Sequence, residues 1–191
     1  MFEYTIVENF MNENECISLL EYSIEKSNLK RALVSTDKKD EINESIRKSN
    51  VAFNDYTEKF PYIKDRLEKI ISKEINLKGM EVNLENDIFQ FTEYKIGDFY
   101  NWHQDGNEKY TLGNRYCSIV ILLNDNYEGG VLEIKNFGED EITYVDKKIG
   151  KLIIFLSQLK HRVSPVKKGV RYSLVNWFSL KESTNFKKTL L

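Results

Sequence analysis

The residues best suited to chemistry in this chain are two histidines and an aspartate in its second half. His103 and Asp105 lie two positions apart, so in a strand their side chains point to the same face and place an imidazole beside a carboxylate. The other histidine, His161, follows an apolar run later in the chain. Two imidazoles and one carboxylate form the facial triad that binds non-haem Fe(II) and leaves coordination positions open. The three residues together predict an iron centre rather than a closed zinc site.

Each member of this set also has an ordinary interpretation. A histidine and an aspartate two positions apart occur often by chance on a surface, and a single histidine such as His161 is more often a structural residue. The combination favours the metal centre over both. Because the chain contains 2 histidines, one iron site uses both and leaves none for a second centre or a histidine base.

Arg171 is a fourth candidate, on what the pattern predicts to be the last core strand. Alternation along that strand places Arg171, Ser173 and Trp177 on one face. A buried guanidinium is costly unless it meets a carboxylate, and a ligand with a carboxylate would be a natural bidentate partner. Ser173 would then donate its hydroxyl to the same carboxylate. The alternative is that Arg171 pairs with an acidic side chain at the rim of the site.

The composition is that of an ordinary globular domain. The chain has 191 residues, of which 41% are hydrophobic and 30% are charged, and its formal net charge is -2. This content is ample for a core and excludes global disorder. A nearly neutral balance provides no basic field for nucleic acid or an anionic membrane, so we expect neither as a partner. The composition does not indicate the oligomeric state.

The cysteines and the apolar runs bear on location. Cys16 and Cys117 lie far apart and form no disulfide framework, which favours a reducing, cytoplasmic setting. The first residues lack the basic and apolar regions of a signal peptide, and the longest apolar runs are too short to span a bilayer. We therefore expect a cytoplasmic protein that is neither exported nor membrane-spanning.

The periodicity changes along the chain, within one expected domain over 1–191. Helical spacing dominates 1–80: a capping pair at Asn12 predicts a helix near 13–27, and Pro61 begins a second apolar stripe. The polar segment between them predicts a surface loop or, alternatively, a lid over a substrate at 35–50. From 87 to 180 the pattern is that of short strands. The predicted strands are 87–96, 99–104, 117–123, 131–135, 142–145, 151–156, 162–165 and 170–179.

Several blocks of the sequence resemble those of one enzyme family. Residues 94–105 resemble the Y-x-x-G-x-x-Y-x-x-H-x-D motif of prolyl 4-hydroxylase-like Fe(II)/2-oxoglutarate dioxygenases, including their small bacterial and phage members. Residues 123–130 resemble the L-N…Y-E-G-G block, and 161–171 resemble the H-x-V-x-P-V-x-x-G-x-R block, which Trp177 closes. Residues 46–49 resemble an R-x-S strand before the core. The blocks occur in the family's order.

The resemblance implies a fold and a set of site residues. The fold is an α+β, mainly β, double-stranded β-helix or jelly roll with flanking N-terminal helices. The metal ligands are His103, Asp105 and His161, and Arg171 holds the distal carboxylate of 2-oxoglutarate. Other expected contacts are Tyr94, Ser173 and Ser118 to the cosubstrate, with core packing an alternative for Ser118, and Trp177 to the substrate; Leu122 stands where some relatives carry a tyrosine.

The resemblance also implies a reaction. The expected cofactors are Fe(II), 2-oxoglutarate as cosubstrate and O2, with ascorbate as an optional reductant. The expected activity is hydroxylation of a peptidyl proline or similar residue, with succinate and CO2 as coproducts. Two alternatives are a hydroxylase of a free amino acid or other small molecule and a non-catalytic jelly-roll binding module. A short loop at 35–50 closing a small pocket would favour the small molecule, and an open groove would favour a peptide.

Overall fold

Two helices flank the β structure in the computed structural model, which describes residues 3–35, 40–74, 80–83, 87–106, 115–138 and 141–182. Helix α1 is Glu13–Lys26 and helix α2 is Tyr62–Glu74. Asn12 and Glu15 form a reciprocal capping box, with both backbone-to-side-chain hydrogen bonds at 2.9 Å. These features confirm the two predicted helices and the predicted cap.

The strands outnumber those predicted, since short strands also occur before residue 87. All are antiparallel to their partners. They are β1 (Tyr4–Val7), β2 (Lys30–Arg31), β3 (Val34–Ser35), β4 (Asp40–Glu41), β5 (Arg47–Lys48), β6 (Asn50–Asp55), β7 (Met80–Asn83), β8 (Ile88–Tyr94), β9 (Phe99–His103), β10 (Cys117–Leu122), β11 (Glu128–Gly129), β12 (Leu132–Lys135), β13 (Ile142–Val145), β14 (Leu152–Leu156), β15 (His161–Val163), β16 (Val166–Lys168) and β17 (Arg171–Glu182).

Two larger sheets contain the strands that matter for the site. The first has the order β1-β14-β10-β17-β8-β6-β2, with β7 also paired to β17, and the second has the order β13-β12-β15-β9-β5. From β8 onward the chain passes repeatedly from one of these sheets to the other. This exchange is the connectivity expected of a jelly roll, and it explains why β10 and β14 are buried along their whole length.

The prediction that 1–80 is mainly helical is wrong in part. Strands β1 and β6 extend the first sheet by pairing with β14 and β8, and β5 pairs with β9 in the second sheet. These strands are short and mostly half-buried, so their apolar alternation is weak. The sheet edges that they cover stabilise them, and a local pattern does not contain that information.

Helix length also bears on the membrane question. Among the residues that the structure describes, neither helix has the length and apolar character needed to span a bilayer.

Candidate functional site

The predicted metal ligands lie together at the wall of a cavity of about 990 Å³. His103 ends β9 and His161 begins β15, and these two residues are directly paired across the sheet. Asp105 follows β9, where its own N–H and that of Gly106 donate to the carbonyl oxygen of Ser157. The register of two neighbouring strands therefore brings together side chains that are far apart in the sequence.

The geometry of the triad suits one metal ion. His103 Nε2 lies 3.5 Å from Asp105 Oδ1, and His161 Nε2 lies 3.5 Å from Asp105 Oδ2. One ligand atom from each of the three residues falls within 4.8 Å of the others. Two imidazole nitrogens and one carboxylate form the donor set of a facial triad, so the residues fit a non-haem iron.

The backbone sets the tautomer of both imidazoles. His103 Nδ1 is 2.8 Å from the carbonyl oxygen of Asn101, and His161 Nδ1 is 2.9 Å from that of Leu159. Since a carbonyl only accepts, each Nδ1 carries the hydrogen and each Nε2 keeps its lone pair for a metal. Burial, reinforced by the neighbouring His161, lowers the pKa of His103 and favours the neutral ring that a metal requires.

Two neutral donors hold the carboxylate of Asp105 in place. Its Oδ2 accepts hydrogen bonds from Trp177 Nε1 and from Ser118 Oγ, both at 2.8 Å. Burial opposes ionisation of Asp105, but His103 and His161 outweigh it and hold its pKa well below the usual range. Ser118 also lies 2.9 Å from Ser157 Oγ. The hydroxyl of Ser118 thus supports Asp105, and its contact with the cosubstrate stays a prediction.

Aromatic rings pack against the two imidazoles. The Tyr100 ring stacks on His103 with centroids 3.4 Å apart, and Phe155 meets His161 edge-on at 4.6 Å. Trp102 points away from the triad, and the Arg162 guanidinium lies 4.9 Å from its ring centroid. The irregular register of β9 beside β15 interrupts regular alternation, so Tyr100 and Trp102 lie in different environments although they are two positions apart.

Arg171 is buried without a carboxylate partner among the described residues. It is 2% exposed, its Nη1 donates to Ser173 Oγ at 2.9 Å, and its guanidinium carbon lies 5.3 Å from the Tyr94 ring centroid. Its Nε is buried and makes no hydrogen bond. Such an orphaned donor is costly, and the carboxylate of a bound ligand would satisfy it. The alternative of an acidic partner at the rim is not found in the described part of the chain.

The blocks between the histidines position Arg171. Asn124 bridges the residues on either side of it, donating to the Val170 carbonyl at 2.7 Å and accepting from the Tyr172 N–H at 2.8 Å. Gly130 has a φ of 58°, and a Cβ there would lie 3.1 Å from Arg171 Cδ. The Asn and Gly residues of these motifs thus fix the backbone and leave room for the arginine.

Three further arginines, Arg31, Arg47 and Arg115, line the cavity, and the sequence patterns did not indicate them there. Arg47 is buried, donates from Nε to Ser49 Oγ at 2.9 Å, and stacks over Tyr100 at 4.6 Å. Arg115 is exposed and lies over the Trp177 ring at 3.8 Å. The R-x-S resemblance marked the strand of Arg47, but only the pairing of β5 with β9 places it at the site.

The N-terminal part of the chain contributes an exposed apolar border to the cavity. Leu33, Ile42 and Phe53 line it while remaining 51%, 57% and 60% exposed. We call these three residues the apolar rim. Part of the proposed lid at 35–50 lies here, but 36–39 fall outside the described residues, so its role as a lid stays a prediction. Trp177 also lines the cavity, and its contact with a substrate likewise stays a prediction.

A protein-family model matches the part of the chain that contains the triad and Arg171. The model, described as the 2OG-Fe(II) oxygenase superfamily, covers residues 89–179. A curated relative, a PKHD-type hydroxylase of Herminiimonas arsenicoxydans, is 27% identical over 109 residues, or 53% of this chain and 47% of the relative. The chain therefore spans about half the length of this curated relative.

Solved structures resemble the chain over nearly its whole length. A Pseudomonas putida prolyl-4-hydroxylase superposes with a TM-score of 0.72 at 22% identity, over 94% of this chain and 93% of that chain. A Trichoplax adhaerens prolyl hydroxylase, solved with a hypoxia inducible factor peptide fragment, superposes with a TM-score of 0.73 at 18% identity, over 93% and 83%. At these identities the likeness concerns the fold, and it confirms the predicted double-stranded β-helix.

Proposed function

The chain belongs to the 2OG-Fe(II) oxygenase superfamily as a prolyl 4-hydroxylase-like member, and from that premise we propose that it hydroxylates a prolyl or similar residue of a peptide. We further propose that His103, Asp105 and His161 bind the iron. One observation carries the proposal: the triad and a buried arginine without a carboxylate partner among the described residues line the same cavity.

The protein's own residues have separate tasks in this proposal. Neutral imidazoles, fixed by carbonyl oxygens, and an ionised Asp105 provide the three metal ligands. Arg171 and Ser173 bind the far carboxylate of 2-oxoglutarate, beside the ring of Tyr94. Asn124 bonds the backbone of the residues before and after Arg171, so the strand that carries Arg171 is fixed before the cosubstrate binds.

The bound iron and cosubstrate would supply the oxidising chemistry. The overall reaction consumes one C–H bond, O2 and 2-oxoglutarate, and yields the hydroxylated residue, succinate and CO2. The chain's contribution is to place the substrate bond at the cavity wall and to exclude bulk water. Tyr100 and Phe155, which pack on the two imidazoles, supply the apolar surface for that exclusion.

The open, apolar border of the cavity supports a peptide substrate over a small one. Three exposed apolar side chains at the rim, more than half exposed each, offer surface that a free amino acid would not cover. The Trichoplax adhaerens relative was solved with a peptide fragment. We extend that substrate class to this chain as part of the proposal.

We also propose a cytoplasmic location, and the cysteines support it. Cys16 and Cys117 are both buried and unpaired. Burial raises the pKa of Cys16 to about 12, so its thiol stays protonated and unreactive. A chain whose two thiols are both buried and free fits a reducing compartment, and ascorbate remains an optional reductant there.

The test is iron-dependent succinate formation together with a one-oxygen mass gain on proline-containing peptides. Wild-type protein is expected to need both Fe(II) and 2-oxoglutarate, and His103→Ala is expected to abolish both readouts. Trp102→Ala is the matched control, since it removes a neighbouring side chain that points away from the triad. Turnover without iron, or in His103→Ala, would contradict the proposal, and iron and cosubstrate binding without any turnover would favour a non-catalytic module.

A further inference from the structure

We infer that the substrate carries a carboxylate next to the hydroxylated residue, and that Arg47 and Arg115 bind it; this rests on the proposed function. Charged side chains of both signs line the cavity. Two of these are acidic, Asp40 and Asp105. Five are basic: Lys30, Arg31, Arg47, Arg115 and Arg171.

The inner charges of the loaded site balance without the remaining arginines. Fe(II) and Arg171 would bring three positive charges. The two carboxylates of 2-oxoglutarate and that of Asp105 would bring three negative charges. The cosubstrate therefore requires no further cation, and any other guanidinium in the cavity is available for a different anion.

Of the four basic lining residues other than Arg171, Lys30 is exposed to solvent, and the three arginines differ in their pairing. Arg31 donates from Nε to Glu44 at 2.7 Å. Within the described ranges, Arg47 and Arg115 have no carboxylate within 4.0 Å. Arg47 is 8% exposed, and a guanidinium buried to that degree without a counter-ion is unusual.

Each of the two arginines stacks on an aromatic ring that contacts a predicted metal ligand. Arg47 stacks over Tyr100, the ring that covers His103. Arg115 stacks over Trp177, the ring that donates to Asp105. Each guanidinium is thus one aromatic ring away from a ligand of the iron.

Stacking occupies only the faces of the two guanidinium groups, and of the in-plane donors of Arg47 its Nε is bonded to Ser49. The face of each guanidinium packs on a ring, while the N–H donors project in its plane and match a carboxylate. An anionic group held there would position the substrate within one residue of the iron. Uncharged peptides would leave these donors unsatisfied, so the cavity selects against them.

The experiment measures anaerobic peptide binding to protein loaded with Fe(II) and 2-oxoglutarate. The probes are prolyl pentapeptides in which Asp is scanned through each position beside the proline, each matched by its Asn counterpart. Peptides ending in proline are compared as free acid and amide, and free proline with prolinamide. The scan identifies an acidic side chain as the source of the carboxylate, and the acid and amide pairs identify a main-chain carboxylate.

We expect at least one acidic probe to bind about tenfold more tightly than its neutral partner, since a hydrogen bond to a charged group raises affinity by about that factor. Arg115 is exposed, so Arg115→Gln is expected to remove the preference for acidic probes without affecting folding. Arg47→Gln is expected to remove the same preference. The control Lys69→Gln, which removes one positive charge from the exposed face of α2, keeps the full preference. Higher salt reduces the preference in wild type.

Equal binding of every charged and neutral pair, or no binding of any acidic probe, would overturn the inference. So would a preference that persists in both arginine variants. The proposed function fails separately, through absence of the one-oxygen mass gain under aerobic conditions. Visible absorption of the iron and 2-oxoglutarate complex in each variant shows that the inner site is intact while the preference is measured.

Discussion

The inner wall of the cavity and its apolar rim differ in environment: polar side chains of the inner wall are hydrogen-bonded, whereas apolar side chains of the rim are exposed to solvent. On the inner wall, Asp105 accepts hydrogen bonds at 2.8 Å from Trp177 and Ser118, and Nδ1 of each histidine donates to a backbone carbonyl oxygen. At the rim, Leu33, Ile42 and Phe53 expose more than half of their surface. The two histidines and Arg171 lie on strands paired on both edges, whereas Leu33 and Ile42 lie beside two-residue N-terminal strands and Phe53 lies on β6.

This difference separates the chemistry from the choice of substrate. Groups that hold iron and cosubstrate need fixed geometry, which buried hydrogen bonds provide. Groups that select a substrate need accessible surface, which only exposed residues provide. Substitutions on the inner wall are therefore expected to reduce turnover of every substrate, and substitutions at the rim to change only which substrate binds.

The largest effect is expected from loss of a metal ligand. His161→Ala removes one of three donors, and the scarcity of histidine leaves no replacement, so turnover falls by more than about 100-fold, beyond the range for residues that only orient ligands. Succinate formation measures the activity, and iron content after gel filtration measures binding. A folded variant that retains iron and activity would place the metal elsewhere.

The next effect concerns the cosubstrate anchor. Arg171→Gln removes the buried charge that faces the distal carboxylate, so the KM for 2-oxoglutarate is expected to rise about 100-fold while the KM for peptide changes little. Ser173→Ala, which removes a single neutral contact, is the matched control and raises it much less. An unchanged KM for 2-oxoglutarate in Arg171→Gln would assign the buried arginine to another ligand.

A smaller effect is expected from the residue that orients Asp105. Trp177→Phe keeps the ring and removes the N–H that donates to Oδ2, which lowers iron affinity or turnover about tenfold, the low end for such residues. The absorption maximum of the iron and 2-oxoglutarate complex is expected to shift, a readout that loss of packing alone does not produce. Trp102→Phe, outside the site, is expected to change neither.

The smallest effect is expected at the rim. Phe53→Ser removes an exposed apolar side chain, so the KM for peptide is expected to rise about threefold, in line with partial loss of buried apolar area. The KM for 2-oxoglutarate and the melting temperature stay the same. Tyr144→Ser, exposed on β13 and away from the cavity, is the control. A change in cosubstrate KM would contradict the separation of rim from inner wall.

The inner wall was largely predictable from the sequence. Arg171 shares a strand face with Ser173, so period-two alternation applies directly to them, and Asp105 lies beside His103 as predicted although it follows the end of β9. Both histidines occur in motifs that resemble those of the family. Asn124 and Gly130 were recognisable as parts of sequence motifs. Their contacts with Val170 and Arg171, which explain the motifs, are seen only in the folded structure.

The rim and the supporting hydrogen bonds were not predictable. Ser118 lies among apolar residues on β10, and only the fold shows that its hydroxyl reaches Asp105. Arg47 and Arg115 reach the cavity through strand pairing and ring stacking, which connect residues distant in sequence. Such contacts depend on tertiary structure, and local periodicity contains no information about them.

The most direct test of the central claim is anaerobic addition of Fe(II) and 2-oxoglutarate to the purified protein. If one cavity holds both through the triad and Arg171, a visible charge-transfer band appears only when both are present, and it is lost in His161→Ala. If wild-type protein gives no band, or if the band persists without His161, the assignment of this cavity as the iron and 2-oxoglutarate site is wrong.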